Sequence, residues 1–107
     1  MSDILITQDK QGSTFKAKQG DVIVIDLEEN LTTGYQWELG PVHGPVLELL
    51  DSTYSSEPGT LLGRGGMRTV RLKAKSSGRA PIQLRLRRPW DAADVAIAQF
   101  EVKVRVR

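Results

Sequence analysis

An all-β fold, an antiparallel sandwich of seven to eight short strands of immunoglobulin-like type, is predicted by three features of the sequence. Several segments alternate apolar and polar side chains with period two, the signature of half-buried strands. Turn-forming pairs separate these segments at Gln11-Gly12, Gln19-Gly20, Gly40-Pro41, Pro58-Gly59, Ser77-Gly78 and Pro89. No stretch of ten residues carries a convincing helical period. A closed barrel of OB type is the alternative arrangement of such strands.

The last strand, 95–106, is the clearest. Phe100, Val102, Val104 and Val106 share one face, and Glu101, Lys103, Arg105 and Arg107 the other. In 80–87, Ile82, Leu84 and Leu86 alternate with Gln83, Arg85 and Arg87; in 67–75, Val70, Leu72 and Ala74 alternate with Arg71, Lys73 and Lys75. In 21–28, Ile23, Ile25 and Leu27 lie together, with Val22, Val24 and Asp26 opposite. Weaker strands are expected at 3–8, 35–39 and 46–54. A small extra strand at 13–18 is assigned to the edge beside the first. Trp37 suits the large core aromatic that sandwiches place early in their third main strand. Ala92 to Ala98 has room for one helical turn.

The chain has 107 residues, enough for one domain with one core. It has no cysteine, which excludes disulfides, thiolate metal sites and a cysteine nucleophile. The single histidine, His43, falls in a turn and reads as solvated; no metal site or cofactor is expected. No apolar run approaches the roughly 18 residues of a membrane span. The start, MSDILITQDK, lacks the features of a signal peptide. A soluble protein is expected, cytoplasmic unless a leader has been removed from a secreted or periplasmic one.

Charge is uneven. Residues 1–60 hold 3 Lys/Arg and 10 Asp/Glu, whereas residues 61–107 hold 12 and 3. A basic half can mark a polyanion-binding surface. The plainer expectation is that strands from the two halves lie side by side and their charges pair across the sheet.

If successive strands run antiparallel, alternate connections emerge at the same end. Residues 29–34, 55–66 and 88–94 then share one end, while Gly40 to Pro45 and Ser76 to Gly78 share the other. The unusual sequence is concentrated in the first set: Asn30-Leu31-Thr32-Thr33-Gly34-Tyr35, Gly63-Arg64-Gly65-Gly66-Met67 and Arg88-Pro89-Trp90. Loops carried on a rigid scaffold are common binding elements. Singly, each has a plainer reading. Thr-Thr-Gly is a hairpin turn, the glycine cluster a loop tip, and Trp90 a lid on the core. Asn30-Leu31-Thr32 is also a glycosylation sequon, and a glycan there would block the loop.

Together, in this order, NLTTGY, GRGG and RPW resemble the motifs of the chagasin-like inhibitors of papain-family cysteine proteases. That family carries NPTTG followed by an aromatic residue, then GxGG, then RPW. The resemblance departs at Leu31, where the family has proline. Proline at a compatible site stabilises by roughly 0.4–1 kcal/mol; leucine either leaves the loop less preorganised or gains an apolar contact, which bears on affinity rather than on identity.

The resemblance implies a single inhibitory domain over residues 1–107. It implies a monomer that competes reversibly for the cleft of a papain-like protease, the organism's own or a host's, and performs no chemistry itself. Asn30, Leu31, Thr32, Thr33, Gly34 and Tyr35 would form the central loop over the enzyme's Cys–His pair, with Asn30 bracing it through its side chain. Gly63, Arg64, Gly65, Gly66 and Met67 would lie along the substrate groove. On the other side, Pro89 would direct Trp90 onto an aromatic surface, and Arg88 would meet a carboxylate.

Two other readings have distinct signatures. Arg71, Lys73, Arg85, Arg87, Lys103 and Arg105 would give a single-stranded nucleic-acid face, although stacking aromatics are missing from those strands. Trp90 and Tyr54 would stack on sugars in a carbohydrate or adhesion module.

Overall fold

The computed structural model describes residues 3–30, 33–42, 44–55, 66–90 and 96–107. Eight strands are arranged in two four-stranded sheets: β1 (Asp3–Thr7), β2 (Thr14–Ala17), β3 (Val22–Glu29), β4 (Gln36–Leu39), β5 (Leu47–Ser55), β6 (Gly66–Ala74), β7 (Gly78–Arg87) and β8 (Ala98–Val106). One sheet has the order β1-β3-β6-β5 and the other β2-β8-β7-β4. A 3-10 turn, Gln8–Lys10, follows β1.

The alternation seen in the sequence decides what is buried. Ile23, Ile25 and Leu27 face Val70 and Leu72 within one sheet, while Ile82, Leu84, Phe100, Val102 and Val104 line the other. Each fully buried side chain of this kind contributes about 1.5–3 kcal/mol relative to exposure. Trp37 joins them at 6% exposure, and its indole N–H donates to the Glu28 carbonyl at 2.8 Å. A buried indole requires such a partner.

The middle of each sheet is antiparallel, but both early edges are parallel. β1 pairs with β3 in parallel register, Leu5 opposite Val24. β2 pairs in parallel with β8, Phe15 opposite Val104. The expectation that the 13–18 strand lies beside the first strand is therefore corrected. It belongs to the facing sheet, because the chain crosses over at Gln8–Lys10 and turns down along β8. Both strands then bury an inward side chain, Ile6 and Ala17, on opposite sides of one core.

Edge strand β5 shifts register between Leu49 and Asp51. Such a bulge bends an edge strand and discourages pairing with another chain.

Part of the charge asymmetry is absorbed by cross-strand pairs. Glu29 meets Arg68, Glu38 meets Arg87, Glu48 meets Lys75 and Asp51 meets Arg71. Each pair joins an acidic residue of the first sixty to a basic residue beyond them.

Among the described residues, no helix is long and apolar enough to cross a membrane. The expected helical turn at Ala92–Ala98 and the turn histidine His43 lie outside the described residues, wholly or in part.

Candidate functional site

Strand register places the bases of the three loops at one end. In the first sheet Glu29 is opposite Gly66, and Ser55 is opposite Met67. In the second, Gln36 is opposite Arg87, and Leu86 is opposite Ala98. The connections β3–β4, β5–β6 and β7–β8 therefore leave the sandwich together, as the antiparallel parity of the sequence predicts.

The first loop is closed by its own hydrogen bonds. The Thr33 N–H donates to the Asn30 carbonyl at 3.2 Å, and the Thr33 hydroxyl donates to the same oxygen at 2.8 Å. The Tyr35 N–H then donates to the Thr33 hydroxyl oxygen at 3.3 Å. This brace runs through the main-chain carbonyl of Asn30. The Thr33 hydroxyl proton is thus committed within the loop, while the residue itself is exposed. Gly34 has φ 80°, the left-handed region that costs a residue with a Cβ about 1–2 kcal/mol.

Gly34 has a second reason to lack a side chain. A Cβ built there would lie 2.5 Å from Cη2 of Trp90. The first loop thus carries the indole of the third on its glycine. Trp90 is nonetheless 70% exposed. The Arg88 guanidinium lies 4.7 Å from the centre of the Tyr35 ring and 5.8 Å from that of Trp90, within cation–π range of both. Arg88, read from sequence as a partner for an enzyme carboxylate, thus also ties Tyr35 to Trp90. Pro89 and Trp90 form the turn after β7.

Of the second motif, Gly66 and Met67 are described, and both already belong to β6. Gly66 is buried, and a Cβ on it would lie 2.3 Å from the Ser55 carbonyl oxygen and 2.7 Å from the Tyr54 hydroxyl. Here glycine permits a close strand approach. Leu31, Thr32, Gly63, Arg64 and Gly65 lie outside the described residues.

Beneath the loops is a node absent from the sequence-based site. The Glu29 carboxylate, with no exposed side-chain surface, takes a 2.7 Å bond from Arg68 Nη2 and a 3.2 Å bond from its Nε. Its other oxygen accepts the Trp37 N–H at 2.6 Å. Glu29 and Arg68 stand in one sheet and Trp37 in the other. One carboxylate thus clamps both sheets at the root of the loops, and Arg68 reaches within 5.8 Å of the Tyr54 ring centre. A signal for it existed. Glu29 continues the inward phase of Ile23, Ile25 and Leu27, and Arg68 that of Val70, Leu72 and Ala74. Two opposite charges on the buried phase of adjacent strands are expected to pair.

Such an end is equipped to bind. It offers an exposed indole, a braced polar turn and a prepositioned guanidinium on a stiff base. Among the described residues, no group of three His, Cys, Asp or Glu is placed to hold a metal ion.

A sandwich with these loop motifs at one end defines a class of protein, and the family comparison is decisive. Residues 16–104 match the model of the chagasin family peptidase inhibitor I42, and the chain belongs to that family. Among individual relatives, it is 28% identical over 101 residues to chagasin of Trypanosoma cruzi, covering 91% of this chain and 92% of chagasin. In structure it resembles the cysteine protease inhibitor EhICP2 from Entamoeba histolytica, with a TM-score of 0.89 and 26% identity, covering 100% of this chain and 97% of that one. It shares its fold with PbICP-C, solved in complex with falcipain-2, with a TM-score of 0.70, 21% identity, and coverage of 98% and 89%.

Proposed function

We propose that this member of the family inhibits papain-type cysteine proteases reversibly and competitively, by seating its loop-bearing end in the enzyme's cleft. The observation that carries the reading is the contact of Trp90 with Gly34, which joins the first and third loops into one projecting edge. The family's identity as peptidase inhibitors, and the falcipain-2 complex of a protein sharing this fold, support the class of partner.

In this reading, Asn30, Leu31, Thr32, Thr33, Gly34 and Tyr35 cover the Cys–His pair, with Thr32 and Thr33 nearest the nucleophile. Because Gly34 has no Cβ, main chain and indole can approach the enzyme as one thin edge. Gly63, Arg64, Gly65, Gly66 and Met67 run along the substrate groove. Trp90, set by Arg88 and Pro89, anchors the opposite wall. Tryptophan and arginine are enriched among the residues that dominate interface energies. Three loops of this size bury an interface of standard extent, roughly 1,600 Å² in total. The inhibitor works by exclusion. Residues 1–107 act as one unit and as a monomer.

Titration of papain activity with the pure protein tests the reading. Competitive inhibition at nanomolar concentration or below is expected. Papain left fully active by micromolar protein would overturn it.

A further inference from the structure

A second charged feature lies far from the loops. On the outward face of the β2-β8-β7-β4 sheet, Lys16, Arg105 and Arg79 are direct neighbours in register on three adjacent strands. All three are exposed. Lys103 lies two residues along β8 on the same face, flanked in register by Thr14 and Pro81. The only carboxylate in β2, β7 and β8 is Glu101, which lies nearer the loops and accepts a hydrogen bond from Gln83.

This row contrasts with Arg68, Arg71, Lys75 and Arg87, which each meet an acidic partner. Like charges directly opposite one another destabilise a sheet. A bound anion removes that penalty.

Shape supplies an independent observation. Arg79, Lys103 and Arg105 wall a depression of about 380 Å³, completed by Thr14, Ala80, Pro81 and Val104. The stems of long basic side chains are apolar and only their heads are charged. The depression therefore has an apolar body, including the Pro81 ring, and a cationic rim. A sugar ring, with an apolar C–H face and anionic substituents at its edge, matches both. Bases of single-stranded nucleic acid need aromatic platforms. Among the described residues, the exposed large hydrophobic side chains, Leu5, Leu49, Leu50, Trp90 and Ile97, all lie outside these three strands.

We propose that this face binds a sulfated polysaccharide chain, with Lys16, Arg79, Lys103 and Arg105 holding its anionic groups. Arg79 stands eight residues along β7 from Arg87, about 26 Å, so the loop end stays free while the chain is bound. The inference is independent of the protease reading.

The test is calorimetric titration with a heparin-type sulfated oligosaccharide and its desulfated counterpart. Binding should weaken as salt rises, as expected where basic side chains neutralise a polyanion. The double variant Arg79→Gln/Arg105→Gln should lose about tenfold or more in affinity and reduce the salt slope by about 1 per residue removed. Lys10→Gln/Lys73→Gln, with the same change in net charge, should bind like the unmodified protein. Inhibition of papain should be identical in all three proteins. The proposal is overturned if both double variants weaken binding equally, or if the desulfated chain binds as tightly. Equal binding of a DNA oligonucleotide would overturn it as well.

Discussion

The indole of Trp90 rests on the α-carbon of Gly34, so close that a methyl group on Gly34 would stand 2.5 Å from Cη2. Two loops separated by more than fifty residues therefore share one surface. Moving either displaces the other.

Gly34→Ala tests this linkage. The left-handed backbone alone costs about 1–2 kcal/mol, and the added methyl pushes the indole off its seat. Tm should fall by several degrees, while the inhibition constant for papain should rise about tenfold or more. A variant that loses stability but inhibits as before would show that the position of Trp90 is irrelevant to binding.

Trp90→Ala should separate binding from folding in the opposite way. The side chain is 70% exposed, so unfolding free energy should stay within about 0.5 kcal/mol. As an interface anchor it should cost about 2 kcal/mol or more, roughly thirtyfold in affinity. Denaturant titration alongside inhibition kinetics gives both numbers.

Glu29→Gln should damage the scaffold. Breaking one partner of a buried ion pair costs about 3–5 kcal/mol, and the Arg68 side chain, 16% exposed, would be left largely uncompensated. Calorimetry should show Tm lowered by more than about 10 °C. Glu29→Met/Arg68→Met should recover much of that loss. If the double variant is the less stable of the two, the penalty does not arise from a stranded charge.

Asp51 provides the pH-dependent case. Hydrogen bonding from Arg71 holds its carboxyl below the ordinary value of 3.8. A carboxylate depressed in the folded state adds stability that is present above the unfolded value and lost as pH falls through the folded one. Asp51→Asn should therefore be less stable at pH 6, and the difference should close below about pH 3.8. The pair is exposed, so the effect should be small and shrink in high salt. Urea midpoints across that range provide the check; a difference that stays constant with pH would exclude the linkage.

The sequence carried much of this architecture because period-two alternation is a direct consequence of burying one face of a strand. It located the core positions of β3, β6, β7 and β8, the buried Trp37, and the shared end of three loops. It did not reveal which strand β2 joins, since four residues, Thr14–Ala17, carry no record of their partner. Local pattern was equally silent on Arg88, whose neighbours Tyr35 and Trp90 meet only after two loops fold together. Gly66 illustrates a motif residue whose position was legible and whose reason was not. A motif records that a side chain is missing, whereas only the approach of Ser55 and Tyr54 explains why.

Because β1 begins opposite Val22 and β8 ends opposite Gly78, the first and last described residues both lie at the pole away from Thr33 and Trp90. A tag, a tether or a fused domain attached through either terminus would grip the molecule by its handle. Immobilised that way on a bead or sensor chip, every copy would point its blade outward.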